Sequence, residues 1–202
     1  MATRRSPQVR EEEILNACEK LYKTKNFRDV TLKDIGAETS FSRPSIYNYF
    51  QTKEEIFLRL FEREYLLFCI DLEKIKEEDT KADALPEKLA KALSKRALML
   101  KLLAVNLYDM EENSRMERLV EFKKAYGKSV ALFDEILARA FSDKSEVERR
   151  QTLVTAFQFL HGVYPYAHAT PKQIEAMKQA GVRYDQKSIY ELSLDGLTKI
   201  IR

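Results

Sequence analysis

Three helix starts crowd between Thr31 and Glu55, and this crowding constrains the chain more than any other feature. Thr31 is suited to an N-cap, because its hydroxyl accepts an amide proton from the next turn. Asp34 follows three residues on, where an acid favours the positive end of a helix. Ser42 caps a second helix, and Pro44 lies in its first turn, where a missing N–H breaks no intrahelical bond. Phe41 and Ile46 occupy the two positions of a hydrophobic staple. Thr52 and Glu55 form a capping box for a third helix, with Lys53 its first residue. The spacing predicts a short helix from Leu32 to about Thr39, with Leu32, Ile35 and Gly36 facing inward. A turn at Ser40-Phe41 leads to a second helix over Arg43–Tyr49. Two short capped helices across a tight turn make a helix-turn-helix, and the second is the one that enters a major groove.

The stretch resembles the DNA-binding motif of the tetracycline-repressor (TetR) family of transcriptional regulators. The resemblance is carried by Thr31, Ile35, Ala37, Ser42, Ile46-Tyr47, Tyr49-Phe50 and Lys53-Glu54-Glu55. Ser40 stands where the family usually has a turn glycine, and Gly36 where it usually has alanine. The resemblance implies about nine helices, a palindromic operator, a homodimer and a small-molecule effector that releases the DNA. It also implies that Arg43, Pro44, Ser45, Tyr47, Asn48, Tyr49 and Lys53 contact DNA.

The residues support these roles on their own chemistry. Arg43 suits a guanine edge with two hydrogen bonds, and Asn48 carries the amide that pairs with adenine. Pro44 and Ser45 are small enough to approach bases, a thymine methyl included. Thr31, Tyr49 and Lys53 are placed for phosphates. Phe50 reads as core, and Tyr47 divides between core and DNA. Residues 1–53 hold ten Lys or Arg against seven Asp or Glu, and the remainder of the chain balances. All of the net charge of +3 therefore lies in the segment that carries the motif. A basic reading module on a neutral body fits that distribution.

The rest of the chain reads as helix almost throughout. Five glycines and five prolines in 202 residues are too few for a turn-rich β-sandwich, and long runs of Leu, Lys, Glu and Ala favour helix. Residues 1–5 read as a basic arm. Ser6-Pro7 opens a first helix whose inward face is Ile14, Leu15, Cys18, Leu21 and Tyr22. The helix from Lys53 continues to about Lys76 and is long enough to leave the small domain. Further helices are predicted from Leu85 to about Tyr108 and from residue 115 to 141. Ser145 and Glu148 open one that runs to about Tyr164, where Pro165 disturbs it. A short helix stopping near Gly181 follows, and Ser188 and Glu191 open the last. The predicted fold is all-α, with a DNA-binding domain over residues 1–52 and an effector-binding and dimerisation domain over 53–202.

A pocket in that second domain would draw on inward aromatic and polar residues: Asn106, Tyr108, Phe122, Tyr126, Phe157, His161 and Tyr164. Val154, Phe157, Phe159, Leu160 and Val163 are too many apolar residues for one buried stripe. They predict a second surface, where helices 146–164 and 188–201 pair with those of another copy. Cys18 and Cys69 lack metal-ligand spacing, and no metal or other cofactor is expected. A cytoplasmic protein is expected: no apolar export signal follows Arg4-Arg5. The run Ala97–Leu107 is broken by Lys101 and shorter than the roughly 20 residues of a membrane span. No Gly-x-Ser-x-Gly, Gly-rich phosphate loop or His-Glu-x-x-His is present, so an enzyme is not expected. The alternative is a helical protein-interaction module that keeps the helix-turn-helix only as scaffold.

Overall fold

The computed structural model describes residues 6–40, 43–78, 80–105 and 107–201. Among them lie eleven α-helices, one 3-10 helix (Phe27–Asp29) and no strand. In order the helices are α1 (Pro7–Thr24), α2 (Leu32–Ala37), α3 (Arg43–Ile46), α4 (Lys53–Glu77), α5 (Leu85–Ser94) and α6 (Ala97–Leu103). They continue with α7 (Leu107–Glu112), α8 (Met116–Ala140), α9 (Glu146–Ala167), α10 (Pro171–Gln179) and α11 (Ile189–Ile201). The chain forms two compact units. One takes residues up to Glu64 together with Val105–Tyr126, and the other takes Tyr65–Ala104 with Gly127–Arg202.

In the first unit, α1 starts where the sequence sets it. Ser6 Oγ accepts the Val9 amide at 3.4 Å, and Pro7 occupies the first turn. Ile14, Leu15, Cys18 and Tyr22 are buried, as the helical spacing predicts, and Leu21 is half-buried. Phe57 of α4 receives Tyr22 edge-on at 5.0 Å and Phe27 at 4.7 Å, a geometry that suits the charge distribution of aromatic rings. Arginines of α4 meet the acids of α1. Arg59 Nε lies 2.8 Å from Glu11, and Arg63 pairs with Glu12 and Glu19 and bonds Asn16 at 2.8 Å. Further along, Phe61 packs on Phe122 of α8 at 5.0 Å.

In the second unit, α11 lies against both α5 and α9, and α6 against α9. Gly196 sets the closest approach of α11 to α9, because a Cβ there would fall 2.3 Å from the Phe159 ring. Phe133 of α8 packs on Phe157 of α9 at 6.1 Å between ring centres.

The structure corrects the sequence reading in several places. The helix expected over Arg43–Tyr49 is α-helical only to Ile46. Beyond it the chain tightens, with Asn48 N–H donating to Ser45 O and Tyr49 N–H to Ile46 O, the three-residue spacing of a 3-10 turn. The single helix expected over Leu85–Tyr108 is α5, α6 and the start of α7. Its first break is fixed by Arg96, whose Nε donates to the buried Asp71 of α4 at 2.7 Å. That bend lets α5 face α11 while α6 faces α9. Residues 109–114, which lie between two predicted helices, are largely the helix α7. The helix α9 runs through Pro165 to Ala167, because Val163 and Ala167 bury the last turn while Pro165 is exposed on the opposite side. There the carbonyl left without a partner by the missing N–H can meet water. The predicted caps at Thr31, Ser145 and Ser188 and the stop at Gly181 (φ 68°) stand as read. Phe41 and Ser42, the arm 1–5 and Asn106 lie outside the described residues.

Candidate nucleic-acid interface

The segment from Thr31 to Phe50 is built from its cap upward. Thr31 Oγ1 accepts the Asp34 amide at 3.2 Å, and Asp34 Oδ2 accepts the Thr31 amide at 3.1 Å and its hydroxyl at 2.8 Å. The Thr31 hydroxyl bond is the main reason the Asp34 carboxyl is held below its ordinary pKa, with the Thr31 amide and Lys25 adding to it. The helix α2 ends where Thr39 N–H and Oγ1 both donate to Gly36 O, at 3.3 and 2.9 Å. Ser40 then gives its amide to the Glu13 carboxylate of α1, which anchors the turn.

From Pro44 onward the side chains sort by face. Ile46 and Phe50 are fully buried. Pro44 and Asn48 are exposed, Ser45 and Tyr49 half-buried, and Tyr47 keeps 48% of its surface in solvent. The helix start fixes the backbone of Arg43, whose side chain lies outside the described residues. Pro44, Tyr47 and Asn48 therefore share an outer edge over a core of Ile46 and Phe50. Thr31 is exposed, with its hydroxyl engaged by Asp34. Lys53 is turned inward: its Nζ donates to Phe27 O at 2.9 Å and Val30 O at 3.2 Å and lies 4.5 Å from the Phe27 ring centre. Two of its three donors tie the Phe27–Val30 loop, so its charge serves the fold before any phosphate.

The sequence reading missed what holds the end of this segment. Glu55 is completely buried, and four hydrogen bonds converge on its carboxylate. Arg115 supplies Nε at 2.6 Å, Nη2 at 2.9 Å and its amide at 3.1 Å, and Gln51 supplies its amide at 2.8 Å. Burial alone would raise the Glu55 pKa, but the bonds from Arg115 and Gln51 outweigh it and hold the group below its ordinary value. The expected capping box is thus half formed. Thr52 Oγ1 accepts the Glu55 amide at 3.2 Å, while the Glu55 side chain bonds Gln51 and Arg115 instead of reaching back to Thr52. Thr52 Oγ1 also donates to Asn113 O at 2.9 Å. Nη2 of Arg115 and Nη2 of Arg118 both donate to Tyr49 O, at 3.3 and 3.4 Å. One signal was available: arginines at the head of a helix oppose its dipole, so Arg115 and Arg118 needed partners elsewhere.

The expected pocket residues divide between the units. In the first, Tyr108 is 83% exposed, Phe122 is buried against Phe61 and Tyr126 is half-buried. In the second, Phe157 is buried beside Phe133. His161 is exposed with Nδ1 3.0 Å from Leu103 O, and Tyr164 stacks on His168 at 4.1 Å. Burial raises the Tyr164 pKa above its ordinary value. A cavity of about 420 Å³ in the second unit is lined by Pro86, Phe141, Leu194, Thr198 and Ile201 among others. Among the described residues, no group of three or more His, Cys, Asp or Glu is arranged to hold a metal ion, and no helix is long and apolar enough to cross a membrane.

Comparison with known proteins gives two family matches that together span most of the chain. Residues 14–60 match the model described as bacterial regulatory proteins, tetR family, and residues 62–194 match the tetracyclin repressor-like C-terminal domain. An HTH-type transcriptional regulator of Bacillus subtilis, YfiR, is 40% identical over 60 residues, a stretch covering 30% of this chain and 29% of that protein. Among solved structures, the regulator FadR from Bacillus subtilis in complex with stearoyl-CoA superposes with a TM-score of 0.62 at 19% identity, over 94% of this chain and 97% of that one. FadR of Thermus thermophilus in complex with lauroyl-CoA gives 0.58 at 17%, over 95% and 93%. SmeT, the repressor of the Stenotrophomonas maltophilia efflux pump SmeDEF, gives 0.53 at 19%, over 95% and 88%. At these identities the structural likeness is one of fold.

Proposed function

The chain belongs to the tetracycline-repressor family of bacterial transcriptional regulators, and on that premise we propose that it is a repressor which binds a palindromic operator as a homodimer and releases it when a small molecule binds. The family consists of DNA-binding transcription factors rather than enzymes. The observation that carries the reading is the outer edge of Pro44, Tyr47 and Asn48, held out over the buried Ile46 and Phe50. With Arg43, this edge offers the major groove a guanine reader, an adenine reader and, at Pro44, a small surface for close approach to a base. Ser45, Tyr49 and Thr31 flank it as further DNA contacts. Lys53 contributes through its remaining donor.

Dimerisation through α9 and α11 is supported by the apolar side chains α9 leaves in solvent, Val147 and Val154, beside the half-buried Phe159. Two copies would set their reading segments about one helical turn, ~34 Å, apart on a duplex. The effector is a ligand that binds the released state better than the DNA-bound state, as any population shift requires. Stearoyl-CoA and lauroyl-CoA, held by two of the similar structures, are the first ligands to assay. The protein acts in the cytoplasm, where the chromosome lies.

The test is selection of duplexes from a random-sequence pool by the full chain, followed by titration with and without each acyl-CoA. Enrichment of an inverted repeat with half-sites about one turn apart supports the reading. A pool that stays random after repeated selection overturns it and favours a protein-interaction module. An operator affinity unchanged at saturating acyl-CoA removes that ligand.

A further inference from the structure

The reading segment is too short to hold its own shape. One α-helical turn followed by 3-10 turns lies far below the ~12–15 residues at which a helix becomes even marginally stable alone. Ile46 and Phe50 fix it from beneath. Its exit carbonyl, Tyr49 O, is one of the acceptors that every helix end leaves without an internal partner. Arg115 and Arg118 both donate to that oxygen. Both arginines are themselves held: Arg115 by the fork on the buried Glu55, and Arg118 by Glu121 at 3.0 Å, Glu11 at 3.5 Å and the Phe50 ring at 5.2 Å. The Thr52 hydroxyl, on Asn113 O, ties the adjoining turn to the same place.

We infer that Arg115 and Arg118 are positioning residues for operator recognition: they clasp the exit of the reading segment and thereby fix the orientation of Pro44, Tyr47 and Asn48 before DNA arrives. The inference rests on the proposed operator reading for what the segment touches, and on the geometry alone for what the arginines do. Neither arginine needs to contact DNA. Their contribution is pre-organisation, which raises affinity by removing the ordering cost that a loose segment would bear on binding. It falls on sequence-specific binding, where side chains must meet base edges. Non-specific binding follows the phosphate charge and is indifferent to that alignment.

The test compares the wild-type chain with Arg118→Ala, Arg118→Lys and Arg115→Lys, each as the full-length protein. Arg118→Ala leaves the Glu55–Arg115 pair intact, so the unit keeps its buried anchor, and Arg118→Lys serves as the conservative rescue. The first readout is amide hydrogen exchange without DNA, which reports local opening. Amides of residues 46–50 should exchange about tenfold faster in Arg118→Ala, the loss expected for one charge-assisted hydrogen bond, while residues 18–22 of α1, beyond the turns around Glu11, are unaffected. The second is the ratio of affinity for a selected duplex to affinity for an unrelated one at the same salt, in which the lost charge cancels. It should fall about tenfold and recover in part with lysine. Unchanged exchange over residues 46–50 in both Arg118→Ala and Arg115→Lys overturns the clasp. An unchanged affinity ratio overturns its role in recognition. Failure of the wild-type chain to select any duplex defeats the operator reading, and the exchange measurement still decides the clasp.

Discussion

Replacing Arg115 with alanine exposes how the reading unit is held together, and its cost follows from the geometry. The substitution removes the 2.6 and 2.9 Å bonds to Glu55 and the 3.3 Å bond to Tyr49 O, and leaves Glu55 the two amide bonds at 3.1 and 2.8 Å. Breaking a buried ion pair by deleting one partner costs about 3–5 kcal/mol. Two facts lower that figure here. The Arg115 side chain is 40% exposed, so water follows the alanine toward the carboxylate, and the remaining amides still bind it. A cost of about 2–3 kcal/mol remains. At ~2–4 °C per kcal/mol for a chain of this size, Tm should fall by roughly 5–10 °C.

The pH dependence separates this cause from simple loss of packing. In the wild type the folded Glu55 pKa lies below its unfolded value. Its stabilisation is therefore fully present above the unfolded pKa, ~4.3, and is lost as pH falls through the lower folded value. In the variant, burial is opposed by two amides alone, the folded pKa rises, and the deficit narrows as the solution is acidified. Thermal unfolding of both proteins at about pH 4.5 and pH 7.5 reads the difference. A deficit below about 0.5 kcal/mol at the higher pH, within the range of ordinary surface substitutions, or one of equal size at both, would refute the reasoning.

Thr31→Ala should destabilise the chain by about 1 kcal/mol through loss of the α2 cap, with Thr31→Ser restoring it in urea denaturation; equal midpoints for all three would show that the cap contributes nothing. Ser193 Oγ is buried with no hydrogen-bond partner among the described residues. Ser193→Ala should accordingly raise stability by about 1 kcal/mol, and a lower Tm would mean that the hydroxyl has a partner. Val154 is 51% exposed on α9, so if the proposed dimer forms through that face, Val154→Glu should leave circular dichroism unchanged and give a monomer in sedimentation where the wild type gives a dimer. Persistence of the dimer would move the interface elsewhere.

What the sequence could and could not disclose follows the range of the interactions. The caps at Ser6, Thr31, Ser145 and Ser188 act over three residues, so residue type and spacing suffice to find them. The buried face of α1 follows from helical periodicity for the same reason. The Glu55–Arg115 pair joins residues sixty apart, and nothing local to either marks the other. The break after α5 lies within a run of good helix formers, where the tertiary bond of Arg96 to Asp71 overrides propensity. Lys53 looked like a phosphate contact because it opens a helix, and only the fold reveals that its ammonium faces the carbonyls of Phe27 and Val30. The outer edge of this segment was legible only in part: Phe50 reads as core from the sequence, whereas Tyr47 divides between core and DNA, and only the fold leaves 48% of its surface in solvent.

The most direct measurement titrates the selected duplex with the wild-type chain, Asn48→Ala and Tyr47→Ala by fluorescence anisotropy, with Tm recorded for each. Asn48 is exposed, so Asn48→Ala should leave folding untouched, and the Tm of Tyr47→Ala reports what the covered half of its ring contributes. Loss of a paired base contact at Asn48 should weaken specific binding by about 5–150-fold, the equivalent of ~1–3 kcal/mol, with affinity for unrelated DNA unchanged. If both variants bind the selected duplex as tightly as the wild type, the outer edge of this segment does not read DNA.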